Sequence, residues 1–174
     1  MTVYHDFDEV DVFTVGAIGV PGQRTFVLQV RRGRERVTVK CEKQQAAAIA
    51  EHLRRILNDL PPPADTPVPG TLEVAEPVEP AFVLGPVGLG YDRAADRVLI
   101  QLDEFVPVDE DEDEDEAIDL EAEEDRSRVR VFLTPGQAKA FIDQAETLVA
   151  AGRPTCRWCG FPIDPDGHAC PRMN

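Results

Sequence analysis

The sequence has no run of eighteen consecutive apolar residues, and its opening, Met1 to Asp8, lacks a basic region followed by an apolar one. A membrane-spanning or secreted protein is therefore not expected. Cysteine is scarce and unevenly placed: of four, Cys41 stands alone while Cys156, Cys159 and Cys170 crowd the C-terminal end. A disulfide framework would spread them, so a reducing, cytoplasmic compartment fits better. Basic residues are missing altogether from 109 to 125, where thirteen acidic side chains sit. That stretch accounts for most of the net charge of −15, and the rest of the chain is nearly neutral. A chain of 174 residues, 43% hydrophobic and 29% charged, is expected to form one domain with a small appendage and to bury a core without staples.

What is present reads as an α+β pattern met twice. Residues 12 to 20 are β-branched and aromatic-rich and stop at Pro21-Gly22, a turn in which Pro presets φ and Gly accepts a positive one. Thr25 to Val30 and Arg36 to Cys41 predict a hairpin closed around Gly33. From Lys43 the period changes to a helical one, with Ala46, Ile49, Ala50, Leu53, Ile56 and Leu57 on one stripe. Residues 61 to 80 hold seven prolines and predict an extended linker or a strap across the surface. The pattern then resumes, with strands over Phe82 to Tyr91, Arg97 to Val106 and Arg128 to Leu133. Thr134 as N-cap and Pro135 at the first helical position open a second helix. Its stripe of Ala138, Phe141, Ile142, Ala145, Leu148 and Val149 lies at a constant offset from the first, and Val129, Val131 and Gln137 match Val37, Val39 and Gln45 at that same offset. The expected architecture is an internally duplicated pair of β-β-β-α halves, 1–60 and 81–152, whose mostly antiparallel sheet packs against two helices. The 61–80 linker joins them, a disordered acidic insertion interrupts the second over 107–127, and a tail follows over 153–174.

That tail carries the chemistry. Cys156 and Cys159, separated by two residues, can turn both sulfurs toward one ion, with Gly160 easing the turn; the Asp164-to-Gly167 turn then swings His168 and Cys170 back toward them. Three cysteines and one histidine match a closed, structural Zn2+ site with no open position for water or substrate. Free thiols and a redox Cys-x-x-Cys are the alternatives, though a redox pair normally opens a helix and this one follows a helix.

Other candidates are weaker. Arg24, Arg31, Arg32, Arg34, Arg36 and Lys40 place six of the eighteen basic residues in one hairpin, where a phosphate-bearing partner or a nucleic acid could dock. Few aromatics accompany them, and a solvated hairpin answering the acidic run is the simpler reading. The acidic run itself lacks the Gly-turned ligand spacing of a calcium loop. The glycines of Val15 to Val20 and Gly85 to Gly90 do not open into helices and so are not dinucleotide fingerprints. His5 precedes any firm element, His52 lies among polar helix positions, and neither has a Ser or Cys partner that would make it a catalytic base. Cys41 reads as a small buried side chain.

Several of these segments resemble the actinobacterial domain of unknown function 3090 family. At the start they are His5 to Asp8, Phe13 with Gly16 and Gly19, Pro21 to Phe26, Leu28-Gln29 and Glu42-Lys43. Later come Val131 to Pro135, Gln137-Ala138, Phe141 and Ala151 to Pro154, and the most specific piece is the tail from Cys156 to Asn174. Val12 stands where that family commonly has Arg, and the acidic run is longer than usual. The resemblance implies no established activity. It does imply an occasional repair label and gene neighbours resembling a phosphomutase-like phosphatase and a lipid-kinase-like protein. Taken together, the sequence points to a zinc-binding, non-enzymatic binding or adaptor protein with a protein partner, contacted through Arg157, Trp158 and Arg172 around the metal. A nucleic-acid-associated protein using the basic hairpin and an enzyme acting on a phosphorylated small molecule are the alternatives. The oligomeric state is not readable from sequence.

Overall fold

The computed structural model describes residues 2–20, 22–67, 69–107, 125–164 and 166–173. Of the insertion expected over 107–127, residues 108–124 lie outside the described residues. Seven strands form one sheet: β1 (Tyr4–Phe7), β2 (Val12–Ile18), β3 (Thr25–Arg32), β4 (Glu35–Cys41), β5 (Pro80–Asp92), β6 (Arg97–Glu104) and β7 (Arg128–Leu133). The order across the sheet is β1-β7-β6-β5-β4-β3-β2. Among the described residues only the β1–β7 and β4–β5 pairs are parallel, and two α-helices, α1 (Lys43–Asn58) and α2 (Pro135–Ala150), complete an α+β fold.

The period-2 strands and 3.6-period helices turn their apolar sides to a common core. On β2, β3 and β4 the alternate residues Phe13, Val15, Leu28, Val30, Val37 and Val39 join Ala46, Ile49 and Leu53 of α1 and Ala138, Phe141 and Ala145 of α2 in one cluster. Phe13 and Phe141 sit at its centre, ring centroids 4.8 Å apart and tilted by 30°. The start of α2 is as the sequence predicts. Thr134 Oγ1 accepts from the Gln137 amide at 3.1 Å, Gln137 Oε1 accepts from the Thr134 amide at 3.0 Å, and Pro135 begins the helix. At the head of α1 the Glu42 amide donates to Gln45 Oε1 at 2.8 Å.

The expectation for His5 needs correcting, because it stands within β1, paired with Val129. The four residues of β1 have no local pattern that marks a strand; their hydrogen-bond partner is β7, far along the chain. β1 also dictates the shape of the sheet. It lies at one edge and β2 at the other, yet only Asp8 to Asp11 separate them. Seven strands laid flat at ~4.8 Å spacing would hold their edges about 29 Å apart, whereas the step from Phe7 to Val12 spans at most ~18 Å. The sheet must therefore curl until its edges approach. Consistent with this, His5 Nδ1 on β1 lies 3.2 Å from Glu35 Oε1 at the start of β4. The remaining edge of β2 is covered by α2, where Gln144 Nε2 donates to Val15 O at 3.4 Å and, in the link just before the strand, Gln137 Nε2 donates to Val10 O at 2.7 Å. An uncovered edge would offer a template for pairing with another chain.

The proline-rich segment crosses the face of β2–β4 opposite the helices. Thr14 Oγ1 donates to Leu72 O at 2.6 Å. Arg31 Nη2 donates to Thr71 O at 2.7 Å and Glu73 O at 3.1 Å, and Arg36 Nη1 to Glu76 O at 2.8 Å. Gln29, fully buried, binds Ala75 at both ends: its Nε2 donates to Ala75 O at 3.0 Å and its Oε1 accepts from Ala75 N at 2.9 Å. Leu72, within the strap, is buried. Gly16 lets it lie close, since any Cβ there would run into the side chain of Val74.

Candidate metal centre

α2 ends at Ala150, and Gly152-Arg153-Pro154 carries the chain away from it. The tail then folds on itself through short backbone bonds. Ile163 N donates to Pro154 O, Cys156 N to Phe161 O and Gly160 N to Cys156 O, each at 2.8 Å. This knuckle needs Gly160 in the left-handed region, at φ 75°. A second turn, with Gly167 N donating to Asp164 O at 2.8 Å and Gly167 at φ 91°, reverses the chain as the Asp164-to-Gly167 spacing predicts. Arg153 Nη1 clamps this turn to the chain leaving α2 by donating to Asp164 Oδ1 at 2.5 Å.

The two turns bring four donor atoms together. The Sγ atoms of Cys156, Cys159 and Cys170 and a ring nitrogen of His168 all lie within 4.8 Å of one another. Cys156 Sγ is 3.9 Å from Cys170 Sγ, and Cys159 Sγ is 3.3 Å from His168 Nε2. Ligands at ~2.3 Å around a tetrahedral ion stand about 3.8 Å apart, so the set matches a four-ligand metal site with little rearrangement. Cys156 and Cys170 are buried, while Cys159 and His168 are half-buried. All four cysteines are free thiols. Electrostatics favours one anionic sulfur at the outset. The backbone amides of Cys159 and Trp158 point at Cys156 and lower its pKa to about 6, whereas burial pushes Cys159 upward, reinforced by its neighbour Cys156. Amides that hold a thiolate in this way also hold it once it is bound to a cation. Cys41 is different in kind: burial lifts it to about 12, and it belongs to the core.

The remaining expected site residues are scattered. Arg157 lies over the ring of Trp158, its Cζ 5.0 Å from the ring centroid, and Trp158 is 53% exposed. Arg172 is exposed on the same tail. In the hairpin, Arg31 and Arg36 donate to the strap, Arg32 and Arg34 are exposed at the tip, and Arg24 stands apart at the head of β3. Sequence reasoning missed Asp164 and Arg153 as the clamp that fixes the tail. The only available signal was a charge of each sign bracketing the first cysteine pair.

Fold and site together define a class: an α+β protein whose described residues form a curled sheet, two α-helices and, near residue 160, a Cys/His cluster able to hold a metal ion. The family model described as "Protein of unknown function (DUF3090)" matches residues 5–170, and the chain belongs to that family. No curated protein and no solved structure matches it. Among the described residues no helix is long and apolar enough to cross a membrane.

Proposed function

We propose that the chain is a zinc-stabilised, non-enzymatic binding or adaptor module that meets a protein partner through its tail. The observation that carries this is the closed donor set. Three thiols and one imidazole fill a tetrahedral site and leave no position for water or substrate, which suits zinc in a structural role. The same tail exposes Trp158, Phe161 and Met173, at 53%, 60% and 71%, beside Arg157 and Arg172. A partly apolar, cationic surface on a metal-held scaffold is of the composition that protein partners contact.

Elemental analysis of the purified chain is expected to give about one zinc per chain, with Cys156→Ser/Cys159→Ser losing it. A metal-free chain with every tail thiol titratable would remove the reading. Trp158 is the only tryptophan, so its fluorescence reports on the patch alone. It should emit as a solvent-exposed indole and be quenched readily by acrylamide. A blue-shifted, unquenchable emission would eliminate the contact surface while leaving the metal intact.

The pairing of two β-β-β-α runs fits an internal duplication. In its favour, both helices are sixteen residues long and carry Gln at the third position, bonded back to the cap.

A further inference from the structure

Away from the Cys/His cluster, a cavity of ≈ 360 Å³ opens where the β2–β3 turn, the end of β4, the start of α1 and the chain leaving α2 converge. Arg24, Lys40, Lys43 and Arg153 all line it, against a single lining carboxylate, Glu42. Asp164 reaches Arg153 from the tail. Arg24, Lys40 and Lys43 form no ion pair with any described residue. Two glycines make room for the cations. A Cβ on Gly22 would stand 3.0 Å from Arg153 Cδ, and one on Gly152 would stand 3.0 Å from Lys43 Nζ. Without side chains at these two glycines, both long cationic chains lie along the wall unhindered.

Cations gathered around one concavity repel each other, and the repulsion is relieved when a multiply charged anion sits between them. Guanidinium and ammonium groups together suit phosphate: the arginine fork bonds two oxygens at once, and lysine supplies a compact charge. The volume falls at the lower end of small-molecule sites, roughly 300–1,000 Å³. We infer that this cavity binds the phosphate group of a small phosphorylated molecule, held by Arg24, Lys40 and Lys43 with Arg153, fixed by Asp164, as the fourth donor. The inference uses no thiol or imidazole, but it shares Arg153 with the clamp that fixes the tail; Arg24→Gln/Lys43→Gln leaves that clamp intact, so its result distinguishes failure of this site from failure of the adaptor reading.

The test is a titration of the full chain, with its metal as isolated, using inorganic phosphate and then glucose 6-phosphate at low ionic strength, followed by calorimetry and phosphorus NMR linewidth. One site per chain is expected, tighter for the phosphomonoester. Loss of a charged hydrogen-bond donor weakens binding by about tenfold, so Arg24→Gln/Lys43→Gln should weaken it about a hundredfold and Lys40→Gln/Arg153→Gln similarly. Arg55→Gln, at the far end of α1, should bind as the parent does. These positions are at or near the surface, and unchanged circular dichroism would show that each variant folds. Absence of binding, or equal affinity in parent and both double variants, overturns the proposal. It is overturned equally if a short oligonucleotide binds these cations and neither phosphate compound displaces it, since the surface would then serve nucleic acid.

Discussion

Replacing Phe141 by Ala is expected to cost about 3–5 kcal/mol of folding stability, the range for emptying a fully buried aromatic position. The ring is wholly enclosed and packs on Phe13 at 4.8 Å between centroids. It lies where α2 meets the sheet near β2, so a void there loses contacts to both layers at once. Total stability of a domain is roughly 5–15 kcal/mol, so the variant should lose a large fraction of it and unfold at a clearly lower urea concentration. Trp158 lies in the tail and would report poorly on the core, so the measurement is urea unfolding followed by far-UV circular dichroism. A loss below about 1 kcal/mol, less than a third of the cavity cost, would mean that α2 does not seat on the sheet as described.

Replacing Gln29 by Leu tests a different bond type. The side chain is fully buried and holds Ala75 by its N–H and its C=O together, with a further contact from Nε2 to Thr38 Oγ1 at 3.2 Å. Leu keeps approximately the same bulk but leaves both backbone groups of Ala75 without a partner. At about 1–3 kcal/mol for each group left unpaired, a loss of ~2–6 kcal/mol is expected, toward the lower end because both bonds to Ala75 are part-buried, unless the strap lifts and lets water in. Hydrogen exchange separates the outcomes, because lifting speeds exchange of the Ala75 amide and opens the strap to protease. Unchanged protection at Ala75 in the variant would show that Gln29 does not hold the strap.

Much of the architecture was legible because its signals are local. The stripes of α1 and α2, the hairpin turning at Gly33 and the Thr134-Pro135 helix entry each depend on neighbours within a few residues, and each appears where the spacing predicts. The cluster of Cys156, Cys159, His168 and Cys170 was readable for the same reason, since two tight turns within one short segment suffice to gather it. Three features were not readable. β1 is defined by its distant partner Arg128 to Val131 and contains His5 and Asp6, which give no strand pattern. A strap was one of two readings of the proline-rich stretch, but where it attaches has no period, because that comes from side chains of Thr14, Gln29, Arg31 and Arg36 below it. The cation-lined cavity draws on separate segments around Arg24, Lys40-to-Lys43 and Arg153, which nothing short of the folded chain brings together.

The parallel pairing of Tyr4–Phe7 with Arg128–Val131 sets an order on biosynthesis. β1 is made well before its partner β7, and the edge-to-edge closure that β1 imposes cannot occur until that partner is free. A nascent chain carrying β1 to β4 therefore holds a three-stranded meander whose β4 edge awaits β5 and an N-terminal strand with nothing to pair with. Strand pairing across so long a stretch of sequence is slow to form, and unpaired edges in the interval invite association with other chains. β1 thus acts as a latch, closing the sheet only once β7 has been made.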